Sequence, residues 1–253
     1  MIRAHGVTEA GVVRKNNEDR FIVDEQVNLF VVADGMGGHR AGEVASLLAV
    51  ESIGAFIRRS AGDVDFTWPF GIDAALSLDG NRLRTAVHLA NRRIFQAAET
   101  TEDYSGMGTT IVAVLVNAAT IAVAHVGDSR LYLLSQGTLQ QVSADDSWAA
   151  TVLAHDPTMT PDQVARHPMR NVLTNVLGAR DHVDVHISER AFAPGDKLLL
   201  STDGLHAVLS LDAIRTLLTD SPRDATASKL VEAALTGGSR DNVTAVVVSN
   251  DAT

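Results

Sequence analysis

Thr109-Thr110-Ile111-Val112-Ala113-Val114-Leu115-Val116 is followed by Asn117-Ala118-Ala119, then by Thr120-Ile121-Ala122-Val123-Ala124-His125-Val126, then by Gly127-Asp128-Ser129 and Arg130-Leu131-Tyr132-Leu133-Leu134. Three short β-branched runs broken by small and polar residues read as strands joined by tight turns, and the spacing predicts antiparallel neighbours. Upstream, Phe30-Val31-Val32-Ala33 is a buried strand that stops at Asp34-Gly35. Helical spacing then runs from Ala41 to about Arg59 and again through Leu83, Val87, Ala90, Ile94 and Ala97, so two helices need a flat surface to pack on. Downstream, residues 145 to 180 turn helical and polar, with Thr160-Pro161-Asp162-Gln163 supplying an N-cap, a first-turn proline and a capping-box partner. Strands return at Val183 to Ile187, Lys197 to Ser201 and Val243 to Ser249, separated by helices opened by Ser210 and by Ser221-Pro222. Strands and helices in runs favour an α+β or layered sandwich over alternating parallel units.

No linker, repeat or low-complexity segment divides the 253 residues, and the expectation is one domain over 1–253. No stretch is long and apolar enough for a membrane span, and the start lacks the apolar core of a signal peptide, so a cytoplasmic protein is expected. Zero cysteines exclude a disulfide framework, thiolate zinc sites and a cysteine nucleophile. The net charge of -10 repels phosphate backbones and anionic bilayers, which argues against nucleic acid and membrane as partners.

Three apolar segments share a design, breaking at Asp34-Gly35, at Asp128-Ser129 and at Asp203-Gly204; Asn16-Asn17-Glu18-Asp19 and Ser239-Arg240-Asp241-Asn242 add two more acidic sites. Each alone reads as a turn. Together they read differently, because strand ends on one sheet edge converge. Carboxylates 4 Å apart repel by about 4 kcal/mol at an effective dielectric near 20, so such a cluster calls for protons or cations. Oxygen donors without cysteine suit Mg²⁺ or Mn²⁺, and two such ions activate a water for attack on phosphorus. Arg14, four residues before Glu18, offers the planar fork that grips two phosphate oxygens. These features describe a phosphoester hydrolase.

Six segments in this order resemble the metal-dependent protein phosphatases of type 2C, in their bacterial form: Gly11 to Asp19, Val32 to His39, Gly108-Thr109-Thr110, His125 to Tyr132, Leu200 to Leu205, and Ser239 to Thr244. The resemblance spans nearly the whole chain. It implies two antiparallel sheets packed face to face with helices outside, a flap at about 145–180, and two metal ions on one edge of the sandwich. It implies that Asp34 bridges both ions, that Asp203 and Asp241 complete the first, that the Gly35 carbonyl serves the second, and that Glu18 or Asp19 acts directly or through water. Asp128 matches the ligand of a third, weaker ion, and Arg14 the phosphate-binding arginine. The implied activity is hydrolysis of phosphoserine and phosphothreonine on proteins by a monomer, with a cognate Ser/Thr kinase as partner.

Two departures stand out. Met36 occupies the position where eukaryotic relatives carry a histidine proposed as general acid, which leaves His39 or a metal-bound water as the candidates for that role. Asp145-Asp146-Ser147 opens the flap where relatives often have Asp-His-Ser.

Rival readings are weaker. Gly37 to Gly42 imitates a P-loop, but Glu43-Val44 stands where Lys-Ser/Thr should hold phosphate and magnesium. A Rossmann fingerprint from Gly35 would need glycine or alanine at Arg40. His182 and His186 alternate with valines along an expected strand and form its solvated face rather than a zinc site. Trp68 and Trp148 read as anchors of their loops. A catalytically weak phosphatase-fold module that binds phosphoproteins or a regulator would show missing ligands, whereas Asp34, Asp203 and Asp241 are all present.

Overall fold

Alternation along β3 (Leu29–Met36) generates the layers. Leu29, Val31 and Ala33 join one buried cluster, and Phe30 and Val32 join another on the opposite face. Both faces of the strand are covered, which is why its sequence reads as a continuous apolar run. In the computed structural model, residues 1–38, 40–61, 68–156 and 158–251 are described.

One sheet has the order β1 (Ile2–Glu9), β11 (Val243–Asn250), β10 (Lys197–Ser201), β7 (Arg130–Ser135), β8 (Thr138–Gln141). The other has β2 (Asp19–Asp24), β3, β5 (Ile111–Asn117), β6 (Thr120–Val126), β9 (His186–Ala191), with the short β4 (Gly108–Thr109) also paired to β3. Every pairing is antiparallel. The inter-sheet layer holds Val112, Val114 and Val123 from one sheet against Leu131, Leu198, Leu200, Val246 and Val248 from the other. The outer face of the β3 sheet is covered by α1 (Ala41–Ala61) and α2 (Leu78–Thr100), through Ala45, Ile53, Val87 and Ile94. The outer face of the β11 sheet is covered by α6 (Leu211–Asp220) and α7 (Thr226–Thr236), through Ile214, Leu218, Leu230 and Val231. This is the expected α+β sandwich with helices on both sides.

The flap carries α3 (Trp148–His155), capped by Ser147, and α4 (Pro161–Ala165), opened by the expected Thr160–Gln163 capping box. Trp148 stacks on His167 with ring centroids 4.1 Å apart, and Trp68 packs edge-on to Phe56. Trp68 thereby anchors its segment to α1, whereas the Trp148 stack closes within the flap.

Several local expectations are corrected. β6 and β7 are not neighbours: the Gly127-Asp128-Ser129 turn passes the chain from one sheet to the other. Asp34 lies inside β3 rather than at its end, because pairing of Gly35 and Met36 with β4 prolongs the strand. The strand expected at Val183 to Ile187 is β9, three residues later, in register with β6 from His125↔His186 to Thr120↔Ala191. Ser221-Pro222 leads first into a single 3-10 turn, and α7 begins only at Thr226. Strands β1, β2 and β8 were not anticipated from the sequence.

Candidate metal centre

The register Asp19↔Asp34 between β2 and β3 sets two carboxylates side by side. Asp203 opens the one-turn helix α5 (Asp203–His206) after β10, and Asp241 precedes β11, the neighbour of β10. Asp128 arrives on the turn between the sheets. A cavity of about 490 Å³ at this edge is bordered by Glu18, Asp34, Asp128, Asp203 and Asp241, with Arg14 and Gly35 beside them. Residues far apart in sequence are thus gathered at one place, as expected from the strand-end pattern. Asp19 is fully buried behind the cavity, whereas Glu18 lines it.

The two Asp-Gly pairs have a cause other than turn geometry. A Cβ on Gly35 would run into the Gly42 carbonyl of α1, and one on Gly204 into the Asn242 carbonyl. Neither glycine has a positive φ. Close backbone approach, which draws α1 and the β11 entry onto the metal edge, is what demands glycine here.

Electrostatics follow from crowding. Asp34 is held well above the usual carboxylate range by burial and by Asp19, Asp203, Asp128 and Asp241. Asp19 is pushed up to about 7 by burial, although hydrogen bonds from Thr244 and Thr202 oppose the shift. Burial also raises Asp128 to about 7 and, with Asp241 adding to it, Asp203 to about 6. Burial raises Glu18, against the pull of Arg14. Negative charge is costly at this edge unless a cation shares it.

The support of Asp19 was not legible in the sequence. Thr202 Oγ1 donates to Asp19 Oδ2 at 2.9 Å and Thr244 Oγ1 donates to the same oxygen at 2.6 Å. Each hydroxyl has one proton, so the 2.7 Å contact between Thr244 and Thr8 is donated by Thr8. Thr8 in turn accepts from Asn17 at 2.9 Å. One side of Asp19 is thereby fixed, and its Oδ1 is buried without a partner among the described residues. Asp203 Oδ1 is in the same condition. Buried carboxylate oxygens left without donors are costly, and they suit hard divalent cations. Among the described residues no three acidic or histidine side chains converge on a ready-made ligand cage. Asp241 Oδ2 is drawn to Arg14 Nη2 at 2.6 Å. The donor set nevertheless fits Mg²⁺ or Mn²⁺.

Asn242 shapes the loop that carries Arg14. Its Oδ1 accepts from the Glu18 N–H at 2.8 Å, and its Nδ2 donates to the carbonyls of Ala10 at 3.0 Å and Asn16 at 2.9 Å. The opposite wall of the cavity is the flap, through Asn171, Val172, Leu173 and Val176. Nothing in the polar flap sequence marked these residues. Asp146, at the departure from the usual Asp-His-Ser string, accepts from Gly127 N–H at 3.0 Å, from Asn175 Nδ2 at 2.9 Å, and lies 2.9 Å from His186 Nε2. It ties the flap to the turn that bears Asp128. His182, 3.9 Å from Asp184, does not meet His186 at a common ion. His39 lies outside the described residues.

A family model described as protein phosphatase 2C matches residues 12–236. The serine/threonine protein phosphatase PstP of Mycobacterium tuberculosis is 36% identical over 98% of this chain, which spans 45% of that protein, less than half its length. A putative 2C-type phosphatase of Streptococcus pyogenes is 33% identical over 96% of each chain. The crystal structure of the PstP catalytic domain in complex with two manganese ions superposes with a TM-score of 0.82 at 34% identity, covering 99% of both chains. The edge-on cluster of aspartates, the sandwich that presents it and these likenesses agree, and the chain belongs to the protein phosphatase 2C family.

Proposed function

We propose that this chain is a metal-dependent serine/threonine protein phosphatase that hydrolyses phosphoserine and phosphothreonine. The observation that carries the reading is the gathering of Asp34, Asp128, Asp203, Asp241 and Glu18, from separate segments, around one cavity with Arg14 at its rim. Asp34 would be shared by two cations, with Asp203 and Asp241 on the first, the Gly35 carbonyl on the second, and Glu18 or Asp19 acting directly or through water. Asp128 would hold a third. Bound Mn²⁺ or Mg²⁺ supplies Lewis acidity, neutralising phosphate charge and lowering the pKa of water.

The rest is the work of the chain. Arg14, half exposed and steered by Asp241, presents its free donors to the phosphate oxygens. The Asn17–Thr8–Thr244 relay keeps Asp19 aimed inward. Val172, Leu173 and Val176 wall the cavity on the flap side and reduce access of bulk water. His39 is the candidate to protonate the leaving serine or threonine oxygen.

No described helix is long and apolar enough to cross a membrane. A cytoplasmic, monomeric protein of one catalytic domain, working opposite a Ser/Thr kinase, is the setting that accompanies this reading; the absence of cysteine accords with a reducing compartment. The test is turnover of a phosphothreonine peptide with Mn²⁺, with chelator, and in Asp203→Asn. Expected are activity, reversible loss and permanent loss. Chelator-resistant turnover, or an active Asp203→Asn, refutes the assignment.

A further inference from the structure

A chain of net charge -10 carries one face of opposite character. Arg84, His88, Arg92 and Phe95 recur about one turn apart on α2 and stack along one side of the helix. That side turns away from the sheet, against which Leu83, Val87, Ala90 and Ile94 are buried. Phe70 faces it from the segment before α2, and Asp181 and His182 from the segment after the flap; together they border a cavity of about 770 Å³. This volume is in the range of small-molecule sites, and none of its residues borders the metal cavity.

The walls are built. Arg84 Nη2 donates to the carbonyls of Phe70 at 3.0 Å and Gly71 at 3.2 Å, with Asp73 at 4.0 Å. Asn91 Nδ2 donates to the carbonyls of Arg180 at 3.1 Å and Asp181 at 3.0 Å, and its Oδ1 accepts from Gly178 N–H at 2.8 Å. Both flanking segments are thus fastened to α2. The rings make a surface of their own: Phe70 and His88 have centroids 5.2 Å apart, and His88 and His182 stack at 6.2 Å with planes 21° apart. Burial, Arg84 and His182 hold His88 below its usual pKa, against Asp184, so it serves as a neutral ring. Arg92 is exposed and has no ion pair or hydrogen bond among the described residues. Among the described residues, Asp181 is the one acidic residue bordering the cavity.

From this pairing of ring faces with an uncommitted guanidinium we infer that the α2 cavity is a second binding site, for a planar aromatic ring joined to a phosphate-like anion, the chemistry of a free mononucleotide. The ring stacks on Phe70, His88 and His182, and the anion meets Arg92. The inference does not depend on the chemistry at the metal edge.

The experiment titrates the Mg²⁺-loaded full chain with adenosine 5′-(α,β-methylene)diphosphate, which resists hydrolysis, and follows histidine ring signals by NMR. Expected is saturable movement of the His88 and His182 signals with a Kd below about 1 mM. Arg92→Glu and His182→Ala, both at exposed positions, weaken it about tenfold or more, and Arg14→Ala leaves it unchanged. Adenosine alone and methylenediphosphonate alone move these signals only weakly. The inference is overturned if the signals do not move, if binding is lost in Arg14→Ala but kept in Arg92→Glu, if His182→Ala binds as well as the parent, or if either half of the compound binds as tightly as the whole.

Discussion

The floor of the metal cavity and the flap above it are built by opposite means. The floor is strand: Asp19 and Asp34 are fixed by ladder register, and Thr202 and Thr244 hold Asp19 from behind. The flap is helix and turn with little core of its own; α3 has no buried residue. The flap is attached by the bridge Thr109↔Leu177 and by Asp146, while the bridge Ser147↔Leu173 and the Trp148–His167 stack close it on itself. On the proposed function, chemistry that tolerates little displacement sits on the strand-built part, and the wall beside the substrate sits on the part with less core.

This contrast can be broken at its stiffest point first. Asp203→Asn removes a floor carboxylate, and Mn²⁺-dependent turnover should fall by about a thousandfold or more while the circular dichroism spectrum is kept. A milder perturbation is pH. Asp19 and Asp128, at about 7 in the fold, lie above their unfolded values, so the stability they contribute is present at low pH and is lost as pH rises through 7. His125, which is buried, and His206, which is partly buried, are lowered by desolvation; they act in the opposite direction and only below about pH 6.5. Between pH 6.5 and 8 the chelated chain should therefore lose melting temperature, and saturating Mg²⁺ should abolish the loss. Thr244→Val leaves Asp19 with one hydroxyl donor and should cost about 1–3 kcal/mol in urea unfolding. Arg14→Ala should raise KM about tenfold with a smaller change in kcat, since phosphate is held in ground and transition states alike. At the soft end, Asp146→Ala should shift global stability by under about 1 kcal/mol yet speed proteolytic nicking within residues 148–170. If nicking does not change, the flap is held by more than these ties.

The same division explains what could be read from the sequence. Asp34, Asp128 and Asp203 were visible because each follows an apolar strand, a local signal. Glu18, Asp19 and Asp241 were visible as acidic sites and Arg14 as a phosphate fork, Gly35 gained its role from the resemblance alone, and the cavity brings all but the buried Asp19 to its border. β1 was illegible because Arg3, His5, Thr8 and Glu9 dilute its pattern, and its identity as a strand comes from β11 at the other end of the chain. The offset of β9 has a similar origin: His182 to Ile187 alternates like a strand, but the ladder with β6 selects His186 to Ala191. The crossing at Gly127 was invisible because a two-sheet topology is not encoded in any one turn. The hydroxyl relay behind Asp19 joins Asn17, Thr8, Thr202 and Thr244, whose separation in sequence hides their shared task.

Asn242 reaches back across more than two hundred residues to gather Ala10, Asn16 and Glu18, and β1 is completed only by β11. During synthesis residues 2–18 must therefore wait for residues 242–250. A polypeptide lacking residues 239–253 has no shaped arginine loop and no closed first sheet, so the cavity at this edge should take its form in one step, only once those residues are in place.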